Sequence, residues 1–364
     1  MRKYHRPDLV LLGAILALLG IGFIMVYSSS AVRGFIQFDD PYHYLKMEIM
    51  WVTMGLVAMF FSMWVDLRWL RQFAKPALFL AIALLIAVKI PGIGRKVNGA
   101  DRWIGLGPLS IQPSEVIKLS MVLMMSHLLA FDPHKIESFR KGVLPILGLL
   151  GVIAGLIMLQ PDLGTTLVIA ATTFFMLIAA GARVSHLLAL AGTGLGLVVA
   201  AIAAAPYRMR RIFAFLDPWA DPLGNGYQTI QSLLALGPGG LFGLGLGQSR
   251  QKFLYLPENH TDFIFAMIGE ELGFIGATLI ILLFFLFAWR GFRVAMRAPD
   301  AFTGFLAVGL TAMVSIQAMI NMGVVSGVLP VTGITLPFIS YGGTSLVFTM
   351  LGVGVLLNIS KEVR

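Results

Sequence analysis

The sequence predicts an all-α polytopic membrane protein with about ten transmembrane helices and one large loop between the seventh and the eighth. Three observations support this fold class: 58% of the 364 residues are hydrophobic, only 12% are charged, and the mean hydropathy is +0.86. A soluble domain is about half apolar and a quarter charged. Long apolar runs recur along the whole chain, and a bilayer crossing needs about 20 such residues.

Ten apolar segments can be placed along the chain. They cover approximately residues 9–29, 48–65, 74–91, 113–130, 143–160, 164–181, 186–205, 262–289, 302–325 and 341–359. The first segment follows a basic start, as in a signal peptide, but it is long for that role and is followed by a poor cleavage site. We therefore interpret it as the first spanning helix.

An even number of spans places both termini on one side of the membrane. The short loops on that side carry most of the Lys and Arg residues, so the positive-inside rule predicts that both termini are cytoplasmic. The same rule explains much of the net charge of +9 without a nucleic-acid partner. The chain has no cysteine, which excludes disulfides and thiolate metal sites.

We expect residues 1–364 to form a single transmembrane domain, with residues 206–261 as a large extracytoplasmic loop within it. Loops of this length are usually functional, and its apolar residues predict short interfacial helices. The glycine-rich stretch GPGGLFGLGLGQ resembles a phosphate loop but lacks the Gly-Lys-Ser/Thr ending, so it predicts a tightly packed turn. No internal repeat is visible, which weakens a transporter built from inverted repeats.

The few ionisable residues at the edges of spans are the main candidates for function, because charges are costly in a bilayer. Glu115, Lys118, Asp162 and Asp262 are all predicted near the extracytoplasmic face. Glu115 and Lys118 can pair at i, i+3, either to help the helix insert or to line a polar cavity in which Lys118 faces an anion. Gln160 adds a further polar group at membrane depth.

Each of the two aspartates has a structural alternative. Asp162 and Asp262 precede helices and could be N-caps, where the helix dipole favours a carboxylate. A carboxylate in the position of Asp262 could also be a usable base, because the dipole lowers its pKa while partial desolvation raises it. We expect Glu270 and Glu271, about 12 Å deeper along the helix, to be internal packing partners rather than members of the same site.

Several cations are predicted outside the membrane, against the usual trend. An anionic lipid headgroup or a diphosphate would account for them, and solvated loop charges remain the alternative. They are Arg95, Lys96, Arg102, Arg208, Arg210 and Arg211.

Four stretches together resemble the SEDS family (shape, elongation, division and sporulation) of membrane-embedded cell-wall glycosyltransferases. They are NGADRWIGLGPLSIQPSEVIKLS, QPDLGTT, the stretch from FLDPWADPLGNG to PENHTDFIFAMIGEELGFIG, and GVLPVTGITLPFISYGGTSL. The resemblance covers nearly the whole chain. The uninterrupted GLGLGQSRQKFLYLPE is similar to the division and sporulation branch (FtsW and SpoVE) more than to the elongation branch (RodA).

The resemblance implies ten transmembrane helices and a peptidoglycan glycosyltransferase in the bacterial cytoplasmic membrane. Such an enzyme would polymerise lipid II into glycan strands at the outer face, for septal or sporulation cell-wall synthesis. The polyprenyl diphosphate, undecaprenyl diphosphate, would leave in a single inverting displacement. Diphosphate is a good leaving group, so one base and a set of cations suffice, unlike glycoside hydrolysis.

The resemblance also assigns roles to residues of this sequence. The Asp of the family's HTDFIF pattern, regarded as catalytic, is Asp262 here. The predicted substrate-binding residues are Arg102, Trp103, Glu115, Lys118, Gln160, Asp162, Tyr207 and Arg211. Arg102, Lys118 and Arg211 are the cations expected to face the diphosphate. No resident metal site is predicted; a divalent cation, Mg²⁺ or Mn²⁺, stays open as an assistant, and no other cofactor is expected.

The implied partners are lipid II, membrane lipids, a class B penicillin-binding protein that supplies a transpeptidase, and other division or sporulation proteins. Three alternatives remain open at this point. The chain could be a lipid II flippase, which would need polar residues along the whole path across the membrane. It could be an elongation polymerase of the RodA type, or a scaffold that only recruits a transpeptidase.

Overall fold

A computed structural model describes residues 6–97, 100–106 and 109–363 of the chain. Within these ranges the chain forms twelve α-helices and one small antiparallel sheet. The helices are α1 Leu9–Phe38, α2 His43–Ser62, α3 Leu67–Ala87, α4 Pro113–Phe131, α5 Leu144–Met158, α6 Leu163–Ala179, α7 Val184–Ala203, α8 Pro206–Leu216, α9 Tyr227–Leu236, α10 Ile264–Met296, α11 Ala301–Val325 and α12 Thr344–Lys361. The strands, in the order β1-β2-β3, are Gly94–Val97, Ala100–Leu106 and Leu109–Ile111.

The predicted fold class is confirmed. In the described part of the chain, nine helical segments are long and apolar enough to cross a membrane, and α6 is a shorter apolar helix that completes the ten predicted segments. Helices α8 and α9 are too short to span and lie between α7 and α10. The protein is therefore a multi-pass membrane protein. The sheet between α3 and α4 is a feature that the sequence analysis did not predict.

The helix boundaries differ most from the prediction where charged residues lie inside a helix. Helix α3 begins at Leu67 rather than at residue 74, because Asp66 caps it by accepting from the Arg68 amide at 2.9 Å. Its first turns carry Arg68 and Arg71, which a search for apolar runs omits. Long basic side chains can extend from a helix end towards water, so such turns remain compatible with a spanning helix.

The two ends of the chain meet at one end of the helix bundle, called here the terminal end. Asp8 caps α1 and forms an ion pair with Arg290 of α10 at 2.5 Å. The amide of Asp8 donates to Ser360 Oγ of α12, at 3.0 Å. Lys361 donates to the Met63 carbonyl at 2.9 Å. These contacts join α1, α10 and α12, so the ten-segment chain returns to the side on which it starts.

Helices α11 and α12 form the centre of the bundle, and α7 lies at its edge. Helix α11 packs against α4, α6 and α10, and α12 packs against α2. No residue of α7 is buried, and the helix packs against α6 and α8. A helix that is apolar on all sides yet unburied within the protein is suited to contact with lipid.

Helix α10 is broken near its middle by the glycine-rich loop. Gly273 has φ 68° and ψ −164°, so the helical hydrogen bonds are interrupted there. The amides of Leu244 and Gly245 donate instead to the carbonyls of Glu270 and Glu271, at 2.9 and 3.1 Å. Irregular backbone is tolerated at membrane depth when it is buried in protein. The loop is therefore a packed turn that completes a broken helix.

The close approach of this loop to α10 requires glycine. A Cβ on Gly243, which has φ 79°, would lie 2.1 Å from the carbonyl oxygen of Glu271. Heavy atoms do not approach that closely, so a side chain at this position would displace the loop. The repeated glycines thus have a packing reason that does not involve a nucleotide phosphate.

Glu270 and Glu271 are buried and hold the loop from inside the bundle. Glu271, 0% exposed, accepts from Ser28 Oγ at 2.7 and 2.6 Å and from the Gly247 amide at 3.0 Å. Glu270 accepts from Ser249 Oγ at 2.5 Å and from the Arg250 amide at 2.9 Å. Both carboxyl groups are internal packing partners, as expected.

Replacing Glu271 with alanine should destabilise the protein strongly. Ser28 Oγ and two loop amides would lose their acceptor, and each unpaired buried donor costs about 1–3 kcal/mol. We expect a fall of about 3 kcal/mol or more in the free energy of unfolding, measured by thermal or denaturant unfolding in detergent. Glu137→Ala, at an exposed ion pair with Arg183, is the control. An equal loss in both variants would contradict the role of Glu271.

Candidate active site

Asp262 lies just before α10, at the end of the bundle opposite the terminal end. The N-cap of α10 is Phe263, and the Asp262 carboxylate accepts no hydrogen bond among the described residues, so the capping alternative is wrong. Its backbone is held firmly: the Asp262 carbonyl accepts from Asn321 Nδ2 at 2.8 Å. The side chain is half-buried. A catalytic base needs a fixed backbone and a carboxylate that is free of other hydrogen bonds, and Asp262 has both among the described residues.

Charged groups from four segments act on this carboxylate. The pKa of Asp262 is raised to about 7: burial is the main cause, the negative charge of Glu258 adds to it, and Arg211 opposes it. Asp162 and Arg102 have smaller effects, upwards and downwards respectively. The structure therefore brings Arg102, Asp162 and Arg211 into the electrostatic surroundings of Asp262, although they are far apart in sequence.

Arg102 reaches the site from a bulge in the sheet. Arg95 pairs with Trp103 and Lys96 with Asp101, which leaves Arg102 as the extra residue of β2. Bulges often redirect a side chain. Here the guanidinium donates to the carbonyls of Gln160 and Pro161, at 2.8 and 2.5 Å. Arg102 thereby ties the sheet to the turn between α5 and α6.

Gln160 and Asp162, in that turn, are engaged in structural contacts. Gln160 is 1% exposed and its Nε2 donates to the Leu85 carbonyl of α3 at 3.1 Å. Asp162 is 6% exposed and caps α6 by accepting from the Thr165 amide at 3.0 Å and from Thr165 Oγ1 at 2.9 Å. Asp162 therefore is an N-cap, and it acts on Asp262 only through its charge.

Arg211 and Tyr207 both lie on α8, but they have different partners. Arg211 is exposed, and its Nη1 donates to the Val331 carbonyl at 3.2 Å. The Tyr207 hydroxyl accepts from Arg208 Nε at 2.8 Å, and the Arg208 guanidinium lies 5.2 Å from the centre of the Tyr207 ring. The hydrogen bond of the Tyr207 hydroxyl is therefore to Arg208, and that of Arg211 is to the segment that contains Val331.

A polar cavity of about 230 Å³ opens beside Arg211. Besides Arg211 and Val331, its lining comes from the α8–α9 region, with Asn225, Gln228 and Thr229 as the polar members. One cation together with amide and hydroxyl groups suits an anionic or hydroxyl-rich ligand. Arg211 uses only part of its donor set on Val331, so the rest can face this cavity.

Glu115 and Lys118 form a buried pair on α4. Lys118 Nζ lies 2.8 Å from Glu115 Oε2, and the two side chains are 5% and 8% exposed. Lys118 also donates to Gln317 Oε1 of α11 at 2.7 Å. The pair predicted at i, i+3 is present, and its ammonium group also connects α4 to α11; a role of Lys118 towards an anion stays a prediction.

Of the remaining predicted residues, Trp103 follows Arg102 in β2 and lies across the sheet from Arg95. The predicted role of Trp103 in substrate binding stays a prediction. For Lys96 the structure describes the backbone but not the side chain. Among the residues that the structure describes, no group of three or more His, Asp or Glu side chains is placed to hold a metal ion.

Two residues that the sequence analysis missed lie directly behind the site, Gln317 and Asn321 of α11. They are 3% and 1% exposed and bond both to the Asp262 region and to the segment 331–335. A signal was present in the sequence: two amide side chains four residues apart share one face of an otherwise apolar span.

Comparison with known proteins places the chain in a family. The profile described as "Cell cycle protein", of FtsW, RodA and SpoVE, matches residues 9–364. The chain belongs to this family. It is 52% identical over 362 residues to Stage V sporulation protein E of Bacillus subtilis, covering 100% of this chain and 99% of the relative. It is 45% identical to the Probable peptidoglycan glycosyltransferase FtsW of Trichlorobacter lovleyi, covering 98% and 94%.

Solved structures of family members share the fold. A chain from a study of "structural coordination of polymerization and crosslinking by a peptidoglycan synthase complex" is 33% identical, with a TM-score of 0.80 and 97% of each chain covered. The rod shape determining protein RodA of Thermus thermophilus is 30% identical, with a TM-score of 0.73 and 98% of each chain covered. The family thus includes glycosyltransferases by name and has this membrane-embedded fold.

Removing Lys118 should be more harmful than removing both members of its pair. Lys118→Met leaves the buried Glu115 carboxylate without its cation, and breaking such a pair costs about 3–5 kcal/mol. We expect the double variant Glu115→Gln/Lys118→Met to unfold at a higher temperature than Lys118→Met alone. The measurement is thermal unfolding of the purified proteins in the same detergent. A double variant less stable than the single one would contradict the pairing.

Proposed function

We propose that this member of a glycosyltransferase family polymerises lipid II into glycan strands, releasing undecaprenyl diphosphate. The observation that carries the proposal is the arrangement around Asp262. This carboxylate accepts no hydrogen bond among the described residues, has a pKa near 7 and is acted on by the charges of Arg102 and Arg211, and a polar cavity opens beside Arg211. A general base works best when its pKa is near the operating pH. A base and cations are the two requirements of this reaction.

The reaction assigned to these residues is a single displacement. Asp262 accepts the proton of the acceptor sugar's 4-hydroxyl as that oxygen attacks the anomeric carbon of the donor sugar. The bond from the anomeric carbon to the diphosphate oxygen breaks, and the diphosphate takes the bonding electron pair. Attack from the side opposite the leaving group inverts the anomeric configuration. No acid is needed, because the diphosphate leaves as an anion.

The cations stabilise the charge that develops on the leaving diphosphate. Arg211 borders the polar cavity, and Arg102 lies in the surroundings of the same carboxylate. Both are anchored to backbone carbonyls, so little reorganisation is needed when the charge appears. Lys118 is committed to Glu115 and Gln317, and we assign it to the support of the site.

The polyprenyl tail of the substrate stays in the bilayer, so we place the reaction at the outer face of the bacterial cytoplasmic membrane, with both termini in the cytoplasm. The chain and its loop 206–261 act as one domain in this proposal. The partner is a class B penicillin-binding protein that crosslinks the new strands, and a family member is known from a peptidoglycan synthase complex. The 52% identity to a sporulation protein favours the division and sporulation branch.

A lipid II flippase is the competing function. It requires polar groups along the path to the terminal end. In the described residues, the carboxyl groups of Glu270 and Glu271 lie deeper in the bundle. They accept hydrogen bonds from Ser28, Ser249 and the loop backbone, so they are not free to line a transport path. At the Asp262 end, the Asp262 carboxylate and part of the Arg211 donor set remain available for a substrate, which favours the enzyme.

The function is tested with purified protein, its partner transpeptidase and labelled lipid II. Asp262→Asn keeps the shape of the side chain and removes the base, so we expect at least a 100-fold loss of glycan polymer with the protein still folded. Wild-type polymerisation by this variant would overturn the assignment. If neither protein forms polymer and reconstituted vesicles move lipid II across the bilayer, the flippase is correct.

The pH dependence should follow the charges around Asp262. The base must be deprotonated, so activity should rise with pH through about 7. Glu258→Gln removes a charge that raises the pKa of Asp262. It should therefore lower the pH at which kcat/KM is half-maximal, called here the midpoint. Arg211→Gln removes a charge that lowers this pKa and should move the midpoint to higher pH.

Opposite shifts in these two variants are the expected result, read from pH–rate profiles of folded protein. Asn225→Ala, a neutral change at the same cavity, is the control and should leave the midpoint in place. Shifts in the same direction, or none, would show that Asp262 is not the titrating base.

A further inference from the structure

Helix α11 presents two buried amide side chains to the site. Asn321 Nδ2 donates to the Asp262 carbonyl at 2.8 Å and also to the Ile334 carbonyl at 2.6 Å. One side-chain amide therefore holds the backbone of the proposed base and the backbone of a second segment. Asn321 is 1% exposed, so it lies behind the site and cannot itself touch a substrate.

Gln317, one turn earlier on the same helix face, repeats this arrangement. Its Nε2 donates to the Thr335 carbonyl at 3.0 Å, and its Oε1 accepts from Lys118 at 2.7 Å. The two amides thus hold neighbouring carbonyls of one segment, those of Ile334 and Thr335. Asn321 holds Asp262, and Gln317 holds Lys118, the partner of Glu115. Both parts of the site are therefore tied to a single rigid helix.

The segment 331–335, held by these amides, lies against the Asp262 carboxylate. Gly333 has φ 75°, and a Cβ built on it would lie 3.5 Å from Asp262 Oδ2. On its other side Arg211 donates to the Val331 carbonyl. A shift of this segment would therefore change the contacts of both Asp262 and Arg211.

We propose that Asn321, supported by Gln317, is a positioning residue that sets the place of Asp262 relative to segment 331–335 and Arg211. This inference rests on the proposed function. The residues before α10 form turns held by isolated bonds, such as that from the Tyr341 amide to the His260 carbonyl at 2.9 Å, and Asn321 supplies the bond to the carbonyl of Asp262 itself. A misplacement of about 1 Å can reduce a rate about 100-fold, and a side chain behind the site can prevent it.

The chain contains a matched control for this role, Asn358 of α12. Its Nδ2 also donates to two backbone carbonyls, those of Ser62 and Val65, at 3.2 and 2.6 Å. It is 3% exposed and lies near the terminal end, close to Lys361 and Met63. Asn321→Leu and Asn358→Leu remove the same chemistry, but only the first loosens the proposed base.

The experiment compares both variants with the wild type, using labelled lipid II and the partner transpeptidase. Activities are normalised to folded protein determined by size-exclusion chromatography, and thermal unfolding is measured in parallel. We expect both variants to lose similar stability. Asn321→Leu should lose about 100-fold in kcat with KM changed by less than about threefold. Asn358→Leu should keep kcat within about threefold of the wild type.

The pH profile supplies a readout that a merely structural role would not change. A loosened Asp262 gains access to water, so its pKa should fall from about 7 towards the ordinary range of an aspartate. The midpoint of kcat/KM should then move to lower pH in Asn321→Leu and stay in place in Asn358→Leu. If Asn321→Leu does not fold, Asn321→Ser and Asn358→Ser form a milder pair.

Equal kinetic losses in the two variants, with unchanged pH midpoints, would overturn the positioning role. That result is distinct from failure of the proposed function, which Asp262→Asn reports. If Asp262→Asn is inactive while Asn321→Leu behaves like Asn358→Leu, Asp262 remains the base and Asn321 is structural only. If Asp262→Asn polymerises normally, the proposed function of this site fails first, and the positioning of Asp262 fails with it.

Discussion

A polar group that lies within the bilayer region must find its hydrogen-bond partner inside the protein. At the active end of this bundle, the turn before α6, the turn before α10 and the segment 331–335 are irregular backbone, and several of their carbonyls lack a backbone donor. Side chains supply the missing donors. The carbonyls held in this way are those of Gln160, Pro161, Asp262, Val331, Ile334 and Thr335, and the donors are Arg102, Arg211, Gln317 and Asn321.

The same bonds explain how two arginines can be kept near a carboxylate without neutralising it. Arg102 and Arg211 donate hydrogen bonds to backbone carbonyls, and neither forms an ion pair with Asp262 among the described residues. Each guanidinium has five N–H donors, so unused donors remain for a ligand. Burial is the main reason that the pKa of Asp262 is raised to about 7; the like charges of Glu258 and Asp162 add to this effect, and Arg211 and Arg102 oppose it. Charges of both signs therefore act on Asp262, but none of them forms a direct ion pair with it among the described residues.

The sequence predicts the spans well because apolar periodicity is a local property. It also identifies Asp262, Glu115 and Lys118, since charges at the edges of spans stand out from their neighbours. It could not reveal that Asn321 reaches Asp262, 59 residues away, or that Lys118 meets Gln317, 199 residues away. Such contacts depend on which helices pack together. The strands and the break at Gly273 likewise depend on where neighbouring segments lie, whereas the cap formed by Asp162 is a local contact that the sequence analysis offered as an alternative.

The raised pKa of Asp262 makes the stability of the folded protein depend on pH. An aspartate is ionised in the unfolded chain well below pH 7, whereas burial favours the protonated form in the folded protein. The contribution of this group to stability is therefore complete at low pH and is lost as pH rises through about 7. The working, ionised state is the one that the fold favours less. Contacts that do not involve the carboxylate must hold it in place, and the bond from Asn321 to the Asp262 carbonyl is of that kind: its strength does not require the base to be protonated.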